Sequence, residues 1–357
     1  MFAVLFCKVV CAQTAEYGNL ESDEYNERYL ADKRDLAHYD IYFVGELHDY
    51  MQVPEAKLAV IRFLNRNDSV SDVFMEIGQS AAYLYNWYLE TGDTAFITSP
   101  ALVYAGSKEN KEFWRGLYEY NKTLSKKIVI HGMDFERMEF MKVLKMLKQH
   151  TNEVQQTPFL LSVDSPKITT VNYDQLGKVI NNFRDDIQQN EQVYKELYWS
   201  DFKLVQDIIL NENTYAAYAQ RDSTMFVNIR KQVQEQNIRK YLVFAGLNHC
   251  NRSDSATLYS RLLSFVRQQP GYSEDKRKIV NIAMLCYSCY IGDAYGKRIE
   301  YDGPITYKSD KILMRDIFKN GVGHGLAWVV QPARGNNSLV TDFSQLLLLI
   351  DGSGNRN

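Results

Sequence analysis

The sequence predicts an α/β fold of three layers, α/β/α, with a mostly parallel central sheet and a helical insertion. Three observations carry that expectation. Short apolar runs rich in β-branched and aromatic residues recur along the chain. Helical patterns alternate with the first of these runs. The stretch from about 137 to 236 is strongly helical and polar. Strands buried on both faces read as near-continuous apolar runs. Strand–helix alternation places such strands in a parallel sheet with helices on both sides.

The first run is Asp40–Gly45 (DIYFVG). A helix is expected over Val53–Asn65, where a proline stands at the start and apolar residues follow at helical spacing. The second strand is expected at Asp72–Ile77 and the third at Lys127–Met133, with helices at Ser80–Leu89 and Glu112–Leu124 between them. Within the insertion, Met138–His150, Tyr173–Asn190, Glu196–Leu210 and Tyr215–Gln236 read as helices, and Pro158–Val163 as a lone strand-like run. The sheet resumes at Lys240–Gly246, Lys278–Cys286, Ala327–Gln331 and Leu346–Ile350. Residues 14–357 thus form one domain with an insertion at about 137–236.

Residues 1–13 are apolar and end in small residues, the pattern of a secretory signal. The expected location is therefore outside the cytoplasm, periplasmic or secreted. No later stretch reaches the roughly 18 continuous apolar residues of a membrane helix. With a net charge of −3, the chain is not basic enough for nucleic acid to be its main partner. Cys250, Cys286 and Cys289 would remain after cleavage, an odd number that makes no disulfide framework. Cys286 and Cys289 form a lone CxxC expected inside one strand, where side chains alternate between faces, which argues against a zinc knuckle. The 25 tyrosines and 17 phenylalanines would suit a cleft for a sugar, a macrolide or a haem-like ligand.

Ligands of open parallel sheets bind beyond the carboxyl ends of the strands. Glu46 and His48 follow the first strand, Glu76 ends the second, Asp134 follows the third, and Asn248 and His249 follow the fourth. Acids and histidines therefore collect at one edge. Carboxylates beside an imidazole stabilise its protonated form and raise its pKa, which suits a general base. Arg221, Met225 and Asn228 share one helix face. Arg221 either holds an anionic group from above or pairs with a neighbouring acid such as Asp222. No G-x-S-x-G elbow, phosphate-binding glycine loop or H-E-x-x-H occurs. A divalent metal held by Glu46, His48, Glu76 and His249 is chemically reasonable, since mixed nitrogen and oxygen ligands suit zinc or manganese.

Several pieces occur together in a familiar order. They are Val44-Gly45-Glu46-Leu47-His48; Met75-Glu76 with Ser80-Ala81-Ala82 and Asn86-Trp87-Tyr88; Phe113-Trp114 and Glu119-Tyr120-Asn121; His131-Gly132-Met133-Asp134; Arg221-Asp222 with Met225 and Asn228; and Asn248-His249. This arrangement, spread from about Asp40 to Asp351, resembles the erythromycin esterase-like proteins, within the wider group that also holds the haem-binding ChaN-like proteins. The resemblance implies a three-layer α/β/α sheet with a helical insertion. It also implies hydrolysis of a small-molecule ester or lactone by a histidine-activated water, with no serine nucleophile and no cofactor. His48 would be the base, Glu46 and Glu76 would orient and charge-stabilise it, and Arg221 and His249 would assist at the substrate. Asp134, Asn228 and Asn248 would contact the substrate. The chain departs from the pattern in two places. Its first motif lacks a threonine and is one residue shorter, and Gly246 and Leu247 stand where the family's His-Asn-x-His begins. Two alternatives accompany the hydrolase reading: a haem- or ligand-binding envelope protein without catalysis, with Tyr or His as iron ligand, and a metal-dependent hydrolase using the same site.

Overall fold

A computed structural model describes residues 17–19, 39–48, 50–94, 107–137, 139–149, 173–198, 201–211, 220–251, 254–269, 278–287, 289–292, 298–301, 326–330 and 346–351. Residues 1–13, the run Pro158–Val163, and residues 215–219 of the last expected insertion helix lie outside them.

The strands are β1 (Tyr17–Asn19), β2 (Ile41–Glu46), β3 (Asp72–Met75), β4 (Val129–Gly132), β5 (Tyr241–Gly246), β6 (Ile279–Tyr287), β7 (Cys289–Gly292), β8 (Arg298–Tyr301), β9 (Leu326–Val330) and β10 (Leu346–Asp351). The helices are α1 (Val53–Asp68), α2 (Gln79–Thr91), α3 (Lys108–Thr123), α4 (Glu139–Gln149), α5 (Tyr173–Gln189), α6 (Glu191–Tyr198), α7 (Phe202–Leu210), α8 (Arg221–Glu235) and α9 (Leu258–Arg267). The main sheet has the order β1-β9-β10-β6-β2-β5-β3-β4. From β10 to β4 every pairing is parallel, while β9 and β1 add antiparallel strands at one side. β7 and β8 pair antiparallel in a separate sheet.

The fold is α/β/α, and the sheet sits between two cores. Tyr42 and Val44, Val73 and Met75, Leu242 and Phe244, and Val280 and Ile282 face one core. Ile41 and Phe43, Phe74, Tyr241 and Val243, and Ile279 face the other. The period-two alternation of strand side chains produces this split, and it explains why the strands are apolar throughout. Side chains of α1 to α7 fill the first core, and those of α8 and α9 fill the second. Phe140, Phe183, Tyr194 and Val205, from the stretch expected as an insertion, belong to the same cluster as the strands. No helix among the described residues is long and apolar enough to cross a membrane.

Four details differ from the sequence reading. β3 ends at Met75, because Ile77 N–H turns back to the Met75 carbonyl at 2.8 Å, so Glu76 stands in the turn. The helix expected over Glu196–Leu210 is broken into α6 and α7, with Asp201 before the second. β1, β7 and β8 were not foreseen. Cys286 lies in β6 and Cys289 opens β7, so the CxxC does not sit within one strand.

Strand order locates the site. The chain runs from β2 outward to β3 and β4, leaving a gap that β5 later fills. It then crosses to the other side of β2 with β6. The reversal puts a crevice at the carboxyl ends of β2 and β5, where Glu46 pairs with Gly246. The end of β4 is fastened to the insertion by side-chain amides. Asn228 donates to the Met133 carbonyl at 2.9 Å and to Asn211 Oδ1 at 2.6 Å, and Gln232 donates to the Gly132 carbonyl at 2.7 Å. These groups are buried, so each bond satisfies an atom that has no water to turn to. Asn228→Leu removes the donor from two buried acceptors. We expect a loss of about 1–3 kcal/mol, read as a lower urea midpoint at unchanged m-value, and an unchanged midpoint would refute this bracing role.

Candidate active site

Glu46 is the last residue of β2, on the face turned toward α1. The chain then bends. Leu47 is buried in the first core, and the His48 side chain lies over the sheet edge with 40% of its surface exposed. Gly45 makes this bend compact. A side chain there would begin 2.1 Å from the Cys250 sulfur, on the short 3₁₀ turn Leu247–Cys250 that follows β5.

Glu76 lies at the centre and is buried. Its Oε2 accepts the Gly246 N–H at 2.6 Å, and its Oε1 lies 2.5 Å from Arg221 Nη2. His48 Nε2 is 3.5 Å from Oε2, and His249 Nε2 is 3.8 Å from Oε1. Burial alone would oppose ionisation of Glu76. The hydrogen-bonding contact with His48, and the charges of Arg221, His249 and His48, overcome it and hold this carboxyl well below the usual carboxylate range.

His48 is shifted the other way. Its contact with Glu76 is the largest influence and raises its pKa above the ordinary value. Burial opposes this, the Glu76 and Glu46 charges add to it, and Lys57 subtracts. Glu46 Oε1 is 3.8 Å from His48 Nδ1. Its other oxygen lies 2.7 Å from Lys57 Nζ, an ionic contact without hydrogen-bond alignment. Lys57 also lies over the Phe244 ring, at 5.0 Å from its centre.

Arg221, the first residue of α8, reaches down to the sheet edge. It does not pair with its neighbour Asp222. It forks onto Asp134, Nε to Oδ1 at 3.0 Å and Nη2 to Oδ2 at 2.6 Å, with Nη2 also on Glu76. Asp222 instead binds His249 Nδ1 at 2.6 Å and accepts the Leu258 N–H at 2.7 Å. His249 is therefore held between Asp222 and Glu76.

Glu46, His48, Glu76, Arg221, His249 and Asp134 thus meet at one place. Two other expected site residues stand apart from this cluster. Asn228 is buried and braces the end of β4. Asn248 lies exposed on the 3₁₀ turn. Asp134 is fully buried and grips Arg221. Among the described residues, no three His, Cys, Asp or Glu side chains are arranged to hold a metal ion.

A narrow cleft adjoins the cluster on the α1–α3 side. Glu46, Lys57 and Glu76 supply its charged wall, and Pro54, Met75, Ile77, Tyr85, Phe113 and Trp114 its apolar wall. Tyr85 and Trp114 stack with centroids 3.7 Å apart, and Phe113 meets Trp114 edge-on. Sequence reasoning missed Lys57. The signal was present: Val53, Lys57, Val60, Ile61 and Leu64 follow helical spacing, so a lysine lies on the buried stripe of α1.

No family model matches the chain, and no curated protein matches it. Solved structures do. A Bacillus cereus protein aligns at TM-score 0.59 and 15% identity, covering 93% of both chains. An erythromycin esterase, EreC, captured as a histidine variant in its open conformation, aligns at TM-score 0.59 and 12% identity, over 94% of this chain and 97% of its own. The chain has an erythromycin esterase-like fold. A succinoglycan biosynthesis protein shares that fold at TM-score 0.61 and 13% identity, over 94% of this chain and 93% of its own. At these identities the erythromycin esterase-like assignment concerns architecture, and the chemistry rests on the residues above.

A second carboxyl, Glu136, is buried where the start of α2 meets Asn211. It accepts the Gln79 N–H at 2.7 Å and the Ser80 hydroxyl at 2.5 Å, at the start of α2, and the Asn211 amide at 3.2 Å. Full burial outweighs these bonds and raises its pKa from 4.5 to about 7. The folded protein therefore holds a proton that the unfolded chain gives up above about 4.5. Stability falls as pH rises from there to about 7, by at most about 1.4 kcal/mol per pH unit. Glu136→Gln should lessen the fall in urea stability between pH 5 and pH 7.5, leaving the part due to His48. An unaltered slope would show that Glu136 is not its source.

Proposed function

We propose that the protein is a hydrolase that directs water at the carbonyl of a small-molecule ester or lactone, with His48 as general base. One observation carries the reading. His48 is the exposed member of an otherwise enclosed cluster, and its Nε2 faces a buried carboxylate that is kept ionised. That is the arrangement a base needs: a partner that fixes the ring and stabilises the imidazolium once a proton arrives.

The geometry supports the following roles. His48 Nε2 lies 3.5 Å from Glu76, and the tautomer protonated at Nε2 leaves Nδ1 to accept a proton from water. Glu46, 3.8 Å from Nδ1, favours the imidazolium by charge and not by a direct hydrogen bond. Arg221 is engaged on two carboxylates, so its role is to hold Glu76 ionised and in place and not to bind a substrate anion. Lys57, in the wall of the cleft, is the cation that can stabilise charge developing on the carbonyl oxygen. The erythromycin esterase-like fold, which houses an ester hydrolase in EreC, is consistent with this chemistry.

A panel of small-molecule esters and lactones tests the reading. His48→Ala should lower turnover at least about 100-fold on any substrate the protein hydrolyses, with circular dichroism unchanged. Full activity in that variant would remove His48 from the mechanism. A base works unprotonated, so kcat/KM should fall as pH drops through the His48 titration, which lies above the ordinary value of about 6.5. Glu76→Gln removes the main upward influence and should move that limb to lower pH, while Lys57→Met should move it to higher pH. Imidazole NMR titration reads both shifts directly, and movement of either in the opposite direction would contradict the assigned roles.

A further inference from the structure

Gly246 ends β5 beside Glu46. Its backbone, at φ −53° and ψ 146°, is in a region open to any residue, so conformation does not call for glycine here. What calls for it is space. A Cβ on Gly246 would lie 2.6 Å from His48 Nε2 and 3.4 Å from His48 Cδ2. Its other near contact, Glu76 Oε2 at 3.4 Å, is ordinary van der Waals separation. The backbone has little freedom to yield. It is paired to β2, and its N–H donates to Glu76 at 2.6 Å.

We infer that Gly246 is a positioning residue for His48: the missing side chain is the seat that lets the imidazole lie over β5 with Nε2 toward Glu76. The same residue supplies two parts of the arrangement. Its N–H fixes the Glu76 oxygen that His48 faces, and its bare α-carbon admits the ring. Any side chain at 246 occupies the volume of Nε2 and turns the imidazole away from Glu76 toward solvent. Where His48 sits is independent of whether the protein hydrolyses esters.

The test is a double-mutant cycle with Gly246→Ala and His48→Ala. In the presence of His48, Gly246→Ala should lower Tm and bring the His48 NMR titration down toward the ordinary histidine value. In the His48→Ala background the clash is gone. There Gly246→Ala should raise Tm, because alanine at a permitted φ restricts the unfolded chain. If Gly246→Ala alone does not fold, recovery of folding in the double variant supports the seat just as well. An equal Tm loss in both backgrounds, or a His48 titration unmoved in a folded Gly246→Ala protein, overturns it.

Discussion

Everything at the carboxyl edge of this sheet is arranged around one buried negative charge. Glu76 is out of contact with bulk water, a situation that ordinarily drives a carboxyl to stay protonated. A guanidinium, a backbone N–H and two imidazoles reverse that outcome. Removing any of them leaves a buried charge short of a partner, which is costlier than losing a surface ion pair. The dependence runs in both directions. Glu76 needs these groups to ionise, and they need Glu76 to hold their places.

The sheet makes the convergence possible. Glu76 comes from the turn after β3, Gly246 from β5, His48 from the bend after β2 and Arg221 from the first turn of α8. The return of β5 to the slot between β2 and β3 brings these ends within one residue length of each other. Asp134, at the exit of β4, reaches the same cluster through Arg221. The insertion is thereby tied to the sheet twice, by charge through α8 and by the amides of Asn211, Asn228 and Gln232.

How much of this is legible in sequence depends on range. The parallel strands announce themselves because both faces are buried, which leaves unbroken apolar runs such as Tyr42–Val44. β1 and β8 carry no such run: Tyr17–Asn19 and Arg298–Tyr301 have too few apolar residues to stand out. The acids and histidines were legible because they terminate strands, where local order alone predicts exposure to a crevice. Their pairing was not. Arg221 chooses Asp134, 87 residues away, over Asp222 next door, because side-chain direction on α8 decides which acid is reachable. Gly246 shows the same limit. In sequence it marks the place where the family pattern fails, whereas in the structure it is the space into which the His48 ring fits.

The strand order also bears on how the protein is made. A chain emerging from the ribosome releases β2, β3 and β4 long before β5, the strand that separates the first two. During that interval β2 and β3 each present an unpaired edge of apolar, hydrogen-bond-hungry backbone, the surface that invites misassembly. Glu76 meanwhile lacks the N–H and the guanidinium that accompany its burial in the folded protein.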